Sequence, residues 1–260
     1  MSATPRPPMH TTRPLPARCT LLPTPALKLL IHGAHTAIIN RRIVCVSGQS
    51  GCGKSVALDV LANDLTHRGL GRVVRVELFD STTNKQVITQ LLEAVTGERV
   101  NSRHTTADHA LLLRKVLAEA PVILTIDEAQ HAKISALQIV RQINDDATSR
   151  SGLVLAGIDL QAKFAKHPTL TNRVGAWSNF NPIDDDLIKT IRALHPTLAR
   201  LSDAQITFID DRFAHGTLRQ WVVLLEWLTD TTNNGAPLDP KVINFALTIA
   251  TGTAVNGAPR

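Results

Sequence analysis

The stretch of sequence that decides the fold is residues 42–55, which read RIVCVSGQSGCGKS. Residues 42–47 form an apolar, β-branched run that is typical of a strand buried in a sheet. The glycines that follow interrupt this run, and from Lys54 to residue 68 apolar side chains recur at helical spacing. A strand, a glycine-rich turn and a helix therefore follow one another directly.

The turn between this strand and helix matches the pattern GxxxxGK(S/T) and has the strand and the helix that the pattern requires on either side. Its glycines let successive backbone N–H groups point at a β-phosphate, and the helix N-terminus adds its dipole. Lys54 would reach the β- and γ-phosphate oxygens, and the Ser55 hydroxyl would ligate Mg²⁺. We therefore expect ATP to be held by Gly48, Gln49, Ser50, Gly51, Cys52, Gly53, Lys54, Ser55 and Val56.

A second motif lies about 70 residues further on, where residues 122–128 read VILTIDE. An apolar strand here delivers two carboxylates at its C-terminal end, the edge at which open parallel sheets bind ligands. Asp127 would hold Mg²⁺ directly or through water, and Glu128 would polarise the attacking water as general base. Alone, two adjacent acids could equally mark a solvated helix start. Downstream of a phosphate-binding loop they predict an ATPase with ATP and Mg²⁺ as its cofactors.

The rest of the chain alternates apolar strands with amphipathic helices up to about residue 156, which predicts a parallel sheet with helices on both faces. Strands are predicted at 42–47, 73–78, 122–126 and 153–156, and helices at 26–38, 54–68, 85–95, 107–118 and 134–146. Only helices are predicted afterwards, at 184–194, 202–214, 218–229 and 240–250. The fold class is therefore α/β, followed by a small helical lid domain.

Proline and charge divide the chain further. Seven of the 14 prolines fall within residues 1–25, which we expect to be a disordered basic arm. This arm either has no function or contacts nucleic acid or a partner protein. Residues 26–180 would be the nucleotide-binding core, 181–250 the lid and 251–260 a flexible tail. Residues 1–58 carry seven basic side chains and no acid against a net charge of +6, so the remainder is nearly neutral. Any nucleic-acid contact should therefore be local.

Composition excludes several classes of protein. The 260 residues are 43% hydrophobic, enough for a full core, and no apolar run approaches the length that spans a bilayer. The three cysteines lack zinc or disulfide spacing, and the histidines lack the spacing of a catalytic metal site. We expect a cytoplasmic protein with no membrane partner and no metal other than nucleotide-bound Mg²⁺.

Residues 127–131, which read DEAQH, resemble a family when taken with the phosphate-binding loop and the helical C-terminal part. Together they resemble the AAA+ ATPases that assist DNA transposition, of the MuB, TnsC and TniB type, and secretion ATPases share this domain. The resemblance covers roughly residues 26–230. It implies a P-loop AAA+ core with a helical lid, and an ATPase whose slow hydrolysis depends on oligomerisation.

The resemblance also implies three further elements of an ATPase site. Arg173 would be an arginine finger that reaches the nucleotide of a neighbouring subunit, or else a surface arginine. Arg219 lies where the family has a lid arginine that contacts the nucleotide in cis, or else forms an ion pair on a helix surface. At the end of the strand 153–156 the family pattern asks for a polar residue, where this chain has Ile158 and then Asp159. That sensor is either displaced by one position or absent.

The same resemblance implies the partners. A strip containing Lys85, Arg99, Arg103 and His104 would contact DNA phosphates, with Lys85 and Arg103 as the candidates, although a solvated helix face explains it as well. The implied function is an oligomeric ring or filament on double-stranded DNA that selects a target and recruits or activates a transposase. The alternatives are an AAA+ ATPase of a secretion or replication-loading machine, and a nucleotide-gated signalling module without a DNA role.

Overall fold

A computed structural model describes residues 19–101, 103–184, 188–231 and 238–259 of the chain. These residues form two compact units. The first contains Pro25–Gln49 and Lys54–Phe180, and the second contains residues 19–24, Ser50–Gly53 and 181–259. The middle of the glycine-rich loop is therefore grouped with the second unit.

The first unit is built on a five-stranded sheet in which every neighbouring pair of strands is parallel. The strand order is β2-β3-β4-β1-β5. The strands are β1 (Ile43–Gly48), β2 (Arg72–Glu77), β3 (Val122–Asp127), β4 (Ser151–Gly157) and β5 (Val174–Phe180). Because all strands run the same way, both sequence motifs follow strand ends at one edge of the sheet. The predicted α/β fold with a parallel sheet is confirmed.

Helices connect these strands, as a parallel sheet requires. The connecting helices are α2 (Lys54–His67), α3 (Asn84–Thr96), α4 (Thr106–Glu119), α5 (Ile134–Asp145), α6 (Leu160–Ala165) and α7 (Pro168–Thr171), and α1 (Pro25–Ile39) precedes β1. Capping boxes at Thr83 and Thr105 define the starts of α3 and α4. Apolar side chains from β2, β3, β4 and the helices α3, α4 and α5 form one buried core.

The fifth strand is absent from the sequence prediction. Residues 174–180 read VGAWSNF, which contains a glycine and two polar residues and lacks a strand's usual alternation. The strand lies at the edge of the sheet, and only two of its seven residues are buried. Its weak signal follows from these residues and not from the edge position, because the edge strand β2 also has only two buried residues and its valine-rich run is predicted.

The second unit is helical, as expected, but two of its helices differ from the prediction. Residues Lys189–Leu194 form a 3₁₀ helix, and residues 185–187 of the predicted helix lie outside the described residues. The predicted helix 202–214 is α8 (Asp203–Ile209) followed by a π-helical turn, Asp210–Ala214. A further 3₁₀ turn (Leu198–Arg200), α9 (Leu218–Thr231) and α10 (Pro240–Thr251) complete the unit around its own apolar core.

The two ends of the described chain both belong to the second unit. The expected arm lies outside the described residues as far as residue 18; beyond that, the Thr20 N–H donates to the Leu194 carbonyl at 2.8 Å. At the other end, where a flexible tail is expected, the Ala258 N–H donates to Asn244 Oδ1 at 3.1 Å and the Ala258 side chain is buried. Among the described helices, none combines the length and apolar character needed to cross a membrane.

Candidate nucleotide site

The glycine-rich loop begins where β1 ends, at Gly48. Its φ angle is +150°, and a Cβ built there would lie 2.0 Å from the Phe180 carbonyl oxygen of the adjacent strand. Only glycine allows this approach of two backbones. The loop can therefore leave the sheet tightly enough to bring its N–H groups to the start of α2.

Lys54 and Ser55 form the first turn of α2. The Lys54 side chain is buried, with 6% of its surface exposed, and its ammonium donates to the Gly48 and Gln49 carbonyls at 2.8 Å each. The half-buried Ser55 and Val56 follow on the same turn. The ammonium thus lies over the loop at the positive end of the helix dipole, which suits a phosphate group.

The middle of the loop makes its contacts within the second unit. Arg219, in the first turn of α9, donates from Nη1 to Ser50 Oγ at 3.1 Å and from its backbone N–H to the Gly51 carbonyl at 3.1 Å. A Cβ on Gly51, whose φ is +81°, would lie 2.6 Å from Thr217 Cγ2. The structure therefore places Arg219 against Ser50 and Gly51 in the middle of the loop. The buried Cys52 thiol beside them donates to the Ser50 carbonyl at 3.9 Å.

Asp127 is the last residue of the buried strand β3, and Glu128 follows it. Asp127 is 2% exposed; its Oδ1 accepts the Glu128 N–H at 2.9 Å, and its Oδ2 accepts a short hydrogen bond from the Arg75 guanidinium. Glu128 has a φ of +54°, a left-handed conformation that is uncommon for a residue with a side chain. This conformation turns the chain at the strand end, so that successive carboxylates point differently.

Gln130 connects the Glu128 carboxylate to the end of β4. Its side-chain amide nitrogen donates to Glu128 Oε2, and its amide oxygen accepts the Ile158 N–H at 3.0 Å. A Cβ on Gly157 would lie 2.3 Å from that oxygen, so the glycine makes room for the glutamine. Asp159, the displaced candidate for the polar sensor, is exposed at the start of α6. Gln130 therefore supplies a polar group at the end of β4.

Lys163 fixes the turn that carries Gln130. Its ammonium donates to the carbonyls of Ala129, Gln130 and Ala132 at 3.3, 2.6 and 2.5 Å. Burial lowers the pKa of the Lys163 ammonium, since the half-buried charge loses solvent. Three carbonyls on one cation hold the 3₁₀ turn Ala129–His131 in place.

Arg173 lies far from this site on the first unit. It immediately precedes β5, at the amino end of the sheet, and its Nε is 3.2 Å from Asp145 Oδ2. Its side chain is 48% exposed, and Asp145 is shared with Arg141 at 2.7 Å. The structure does not bring Arg173 to the glycine-rich loop of the same chain.

The two DNA candidates lie on one helical hairpin. Lys85 is half-buried in the first turn of α3, and Arg103 is exposed in the connection from α3 to α4. The helices pack through Thr89 Oγ1, which lies 2.8 Å from Nδ1 of the buried His109. The hairpin therefore presents the two cations from different elements.

The donor set at the strand ends fits Mg²⁺. Ser55 and Asp127 offer hard oxygen ligands, which Mg²⁺ prefers. Elsewhere in the described residues, no three or more His, Cys, Asp and Glu side chains gather closely enough to hold a metal ion. Ser55 at the start of α2 and Asp127 at the end of β3 are therefore the candidate ligands of a nucleotide-bound cation.

Comparison with known proteins agrees with this geometry. Residues 38–162 match a family model described as an AAA domain. The first unit has the fold of an AAA+ P-loop core. This family segment includes the glycine-rich loop, Asp127, Glu128 and Gln130. No curated protein matches the chain.

Solved structures share the fold at low sequence identity. Cdc6p from Pyrobaculum aerophilum has a TM-score of 0.69 and 19% identity, covering 92% of this chain and 69% of its own. Aeropyrum pernix ORC2, solved as ADPNP–ADP complexes, has a TM-score of 0.65 at 13% identity over 92% and 71%. Aeropyrum pernix ORC1 in complex with DNA has a TM-score of 0.60 at 16% identity over 85% and 63%. Each of these structures is similar over most of this chain, so the similarity in fold includes the helical unit.

Three residues of this site are missing from the sequence-based candidates. Gln130 lies inside the quoted DEAQH run, but its role depends on a contact with β4 that spacing does not reveal. Lys163 gave no signal, because it reaches back about 30 residues along the chain. Arg75 does give a signal in the sequence, because it is a basic residue in the middle of an apolar strand.

Proposed function

We propose that this chain is an ATPase whose nucleotide site is built from the glycine-rich loop and the two carboxylates at the end of β3, Asp127 and Glu128. The observation that carries this proposal is the buried Lys54 ammonium over the loop, at the same sheet edge as the buried Asp127. The family match supports nucleotide hydrolysis at the level of AAA domains.

The residues of this site would have separate roles in ATP binding and hydrolysis. Backbone N–H groups of the loop and the Lys54 ammonium would bind the phosphates, while Ser55 and Asp127 would hold Mg²⁺. When bound, Mg²⁺ neutralises charge on the β- and γ-phosphate oxygens. Glu128 would accept a proton from the attacking water, and Gln130 would hold its carboxylate in place. Arg219 would add a positive charge beside the loop.

We further propose that ATP drives assembly on double-stranded DNA. Arg173 would complete the site of a neighbouring subunit, which couples hydrolysis to a ring or filament. Lys85 and Arg103 would contact phosphates without reading sequence. In this proposal the assembly marks a target and recruits or activates a transposase, as the resemblance of residues 127–131 to transposition ATPases suggests.

A replication-loading function is the second candidate. It is favoured by the fold likeness to Cdc6p and to an ORC1 protein solved in complex with DNA. Both candidates require ATP-dependent binding to duplex DNA, and they differ in the protein that is recruited.

One experiment tests the shared part and then separates the candidates. The full chain is incubated with immobilised duplex DNA and either a non-hydrolysable ATP analogue or ADP. We expect retention with the analogue and release with ADP. A transposase encoded beside this chain should then be captured only on the analogue-bound complexes. Equal retention with both nucleotides would refute the ATP-dependent loading.

A further inference from the structure

Arg75 lies in the middle of β2, with its side chain on the α2 side of the sheet. Its neighbours Val74 and Val76 point into the apolar core on the other side. In the register of the sheet, Arg75 pairs with Thr125, two residues before Asp127. Its side chain is 22% exposed. A guanidinium is thus held beside the carboxyl end of β3.

The guanidinium joins two carboxylates that belong to different elements. Its Nη1 donates to Asp59 Oδ1 of α2 at 2.8 Å, and its Nη2 donates to Asp127 Oδ2 of β3. The planar fork of an arginine can serve two acceptors at once, which a lysine ammonium does less rigidly. Arg75 therefore connects the helix and the strand by charge-assisted hydrogen bonds.

These two elements carry the proposed Mg²⁺ ligands. Asp59 follows Ser55 by four residues on α2, so the two side chains lie on the same helix face, one turn apart. Asp127 is the carboxylate ligand itself. Arg75 thus acts on the metal site from outside it, by orienting Asp127 and by sharing its charge.

We propose that Arg75 is a positioning residue that fixes Asp127 and lowers its affinity for Mg²⁺, and that Asp59 limits this effect by drawing charge from the guanidinium. The inference rests on the proposed ATPase function. A positive charge beside Asp127 opposes a divalent cation, whereas the negative charge of Asp59 partly cancels it. The triad sets the Mg²⁺ concentration at which nucleotide binds.

Substitutions of Arg75 and Asp59 should shift the Mg²⁺ dependence of nucleotide binding in opposite directions. Arg75→Gln removes the opposing charge, so nucleotide binding should need less Mg²⁺, with a half-saturating concentration lower by on the order of 10-fold. Asp59→Asn leaves the guanidinium to Asp127 alone, so the half-saturating concentration should rise by a similar factor. Arg75→Lys keeps the charge and should stay within about 3-fold of wild type.

The experiment titrates Mg²⁺ into the full chain with a fluorescent, non-hydrolysable ATP analogue and records binding by fluorescence anisotropy. Arg68→Gln is the matched control, because it removes one arginine from a 2.7 Å pair with Asp64 at the other end of α2, roughly 20 Å from Ser55. This control should not shift the titration. Far-ultraviolet circular dichroism checks that each variant is folded.

The outcomes separate this inference from the proposed function. A wild-type chain that binds no nucleotide at any Mg²⁺ concentration would overturn the proposed function. Magnesium-dependent binding in wild type, with shifts of the same sign or no shifts in Arg75→Gln and Asp59→Asn, would overturn only the role of Arg75. If Arg75→Gln does not fold, Asp59→Asn alone tests the role of Arg75, because its half-saturating Mg²⁺ concentration must be higher than that of wild type.

Discussion

Arg173→Ala tests whether the ATPase site is shared between subunits. Arg173 precedes β5 at the amino end of the sheet, and Ile43 of β1 pairs with Val174 there. The glycine-rich loop follows the other end, where Gly48 pairs with Phe180. Six residue steps at about 3.3 Å each separate these ends by roughly 20 Å. The Arg173 side chain cannot span that distance to the loop of its own chain.

The expected effect on activity is much larger than the effect on stability. Loss of an arginine finger lowers the hydrolysis rate by on the order of 10³ or more. The ion pair with Asp145 is half-exposed on the arginine side, so breaking it should cost no more than about 1 kcal/mol. Asp145 also keeps its contact with Arg141. We therefore expect the Arg173→Ala chain to be folded and stable but to lack ATPase activity.

Mixing two inactive chains gives the decisive assay. Arg173→Ala keeps its phosphate-binding loop, and Lys54→Ala keeps its arginine. In an equal mixture about a quarter of head-to-tail interfaces combine an intact loop with an intact arginine. Phosphate release should therefore recover toward about a quarter of the wild-type rate, as measured by a coupled ATPase assay.

The matched control is Arg42→Ala, because Arg42 is a neighbouring exposed arginine that donates to the Asn172 carbonyl at 2.7 Å. It should hydrolyse ATP at close to the wild-type rate. A mixture that stays inactive although each variant assembles with wild type would falsify the shared site. Normal hydrolysis by Arg173→Ala alone would do so as well.

Three other predictions address the nucleotide, DNA and the second unit. Lys54→Ala should abolish binding of a fluorescent ATP analogue, whereas Glu128→Gln should bind ATP without hydrolysing it. Radiolabelled nucleotide retained with the protein on a filter distinguishes the two variants. Equal loss of ATP binding in both would show that the carboxylate roles are wrong. Affinity for duplex DNA should fall with salt concentration at a log–log slope of about −0.9 per phosphate contact. Neutralising Lys85 or Arg103 should make that slope less steep. Sequence-specific footprints would contradict binding to phosphates alone. Trp221→Ala should destabilise the second unit by about 3–5 kcal/mol because the side chain is fully buried, and a thermal melt with an unchanged midpoint would contradict this.

The sheet could be predicted where its strands carry runs of apolar or β-branched residues. β1, β3 and β4 have every residue or all but one buried, so continuous apolar runs identify them. The edge strand β5 escaped because glycine, serine and asparagine interrupt it: Gly175 and Asn179 are exposed, and the buried Ser178 donates to the Ala26 carbonyl. The other edge strand, β2, has few buried residues too, but its valines identify it. The π-helical turn at Asp210–Ala214 escaped for another reason. Its Asp210 carboxylate accepts the Gly216 N–H at 2.8 Å and the Trp221 indole N–H at 3.1 Å, which are contacts made after the predicted helix ends.

The site could be predicted where consecutive residues form it. The glycine-rich loop, Asp127 and Glu128 are readable because each motif is short and follows a strand. The lid arginine, Arg219, required the family resemblance, and the structure places it against the loop. Arg75 and Lys163 act across tens of residues, and only packing brings them to the turn after β3. Their roles as nucleotide-site residues stay predictions.

The Gln130 side chain also restricts which residues the chain can accept at this position. Its amide meets an acceptor, Glu128 Oε2, on one side and a donor, the Ile158 N–H, on the other. An amide matches both neighbours in only one orientation. A nearly isosteric glutamate would place two carboxylates together while still accepting from Ile158, and leucine would leave both neighbours without their partner. Replacing the amide nitrogen of Gln130 by an oxygen would therefore turn its hydrogen bond to Glu128, the proposed general base, into a repulsion.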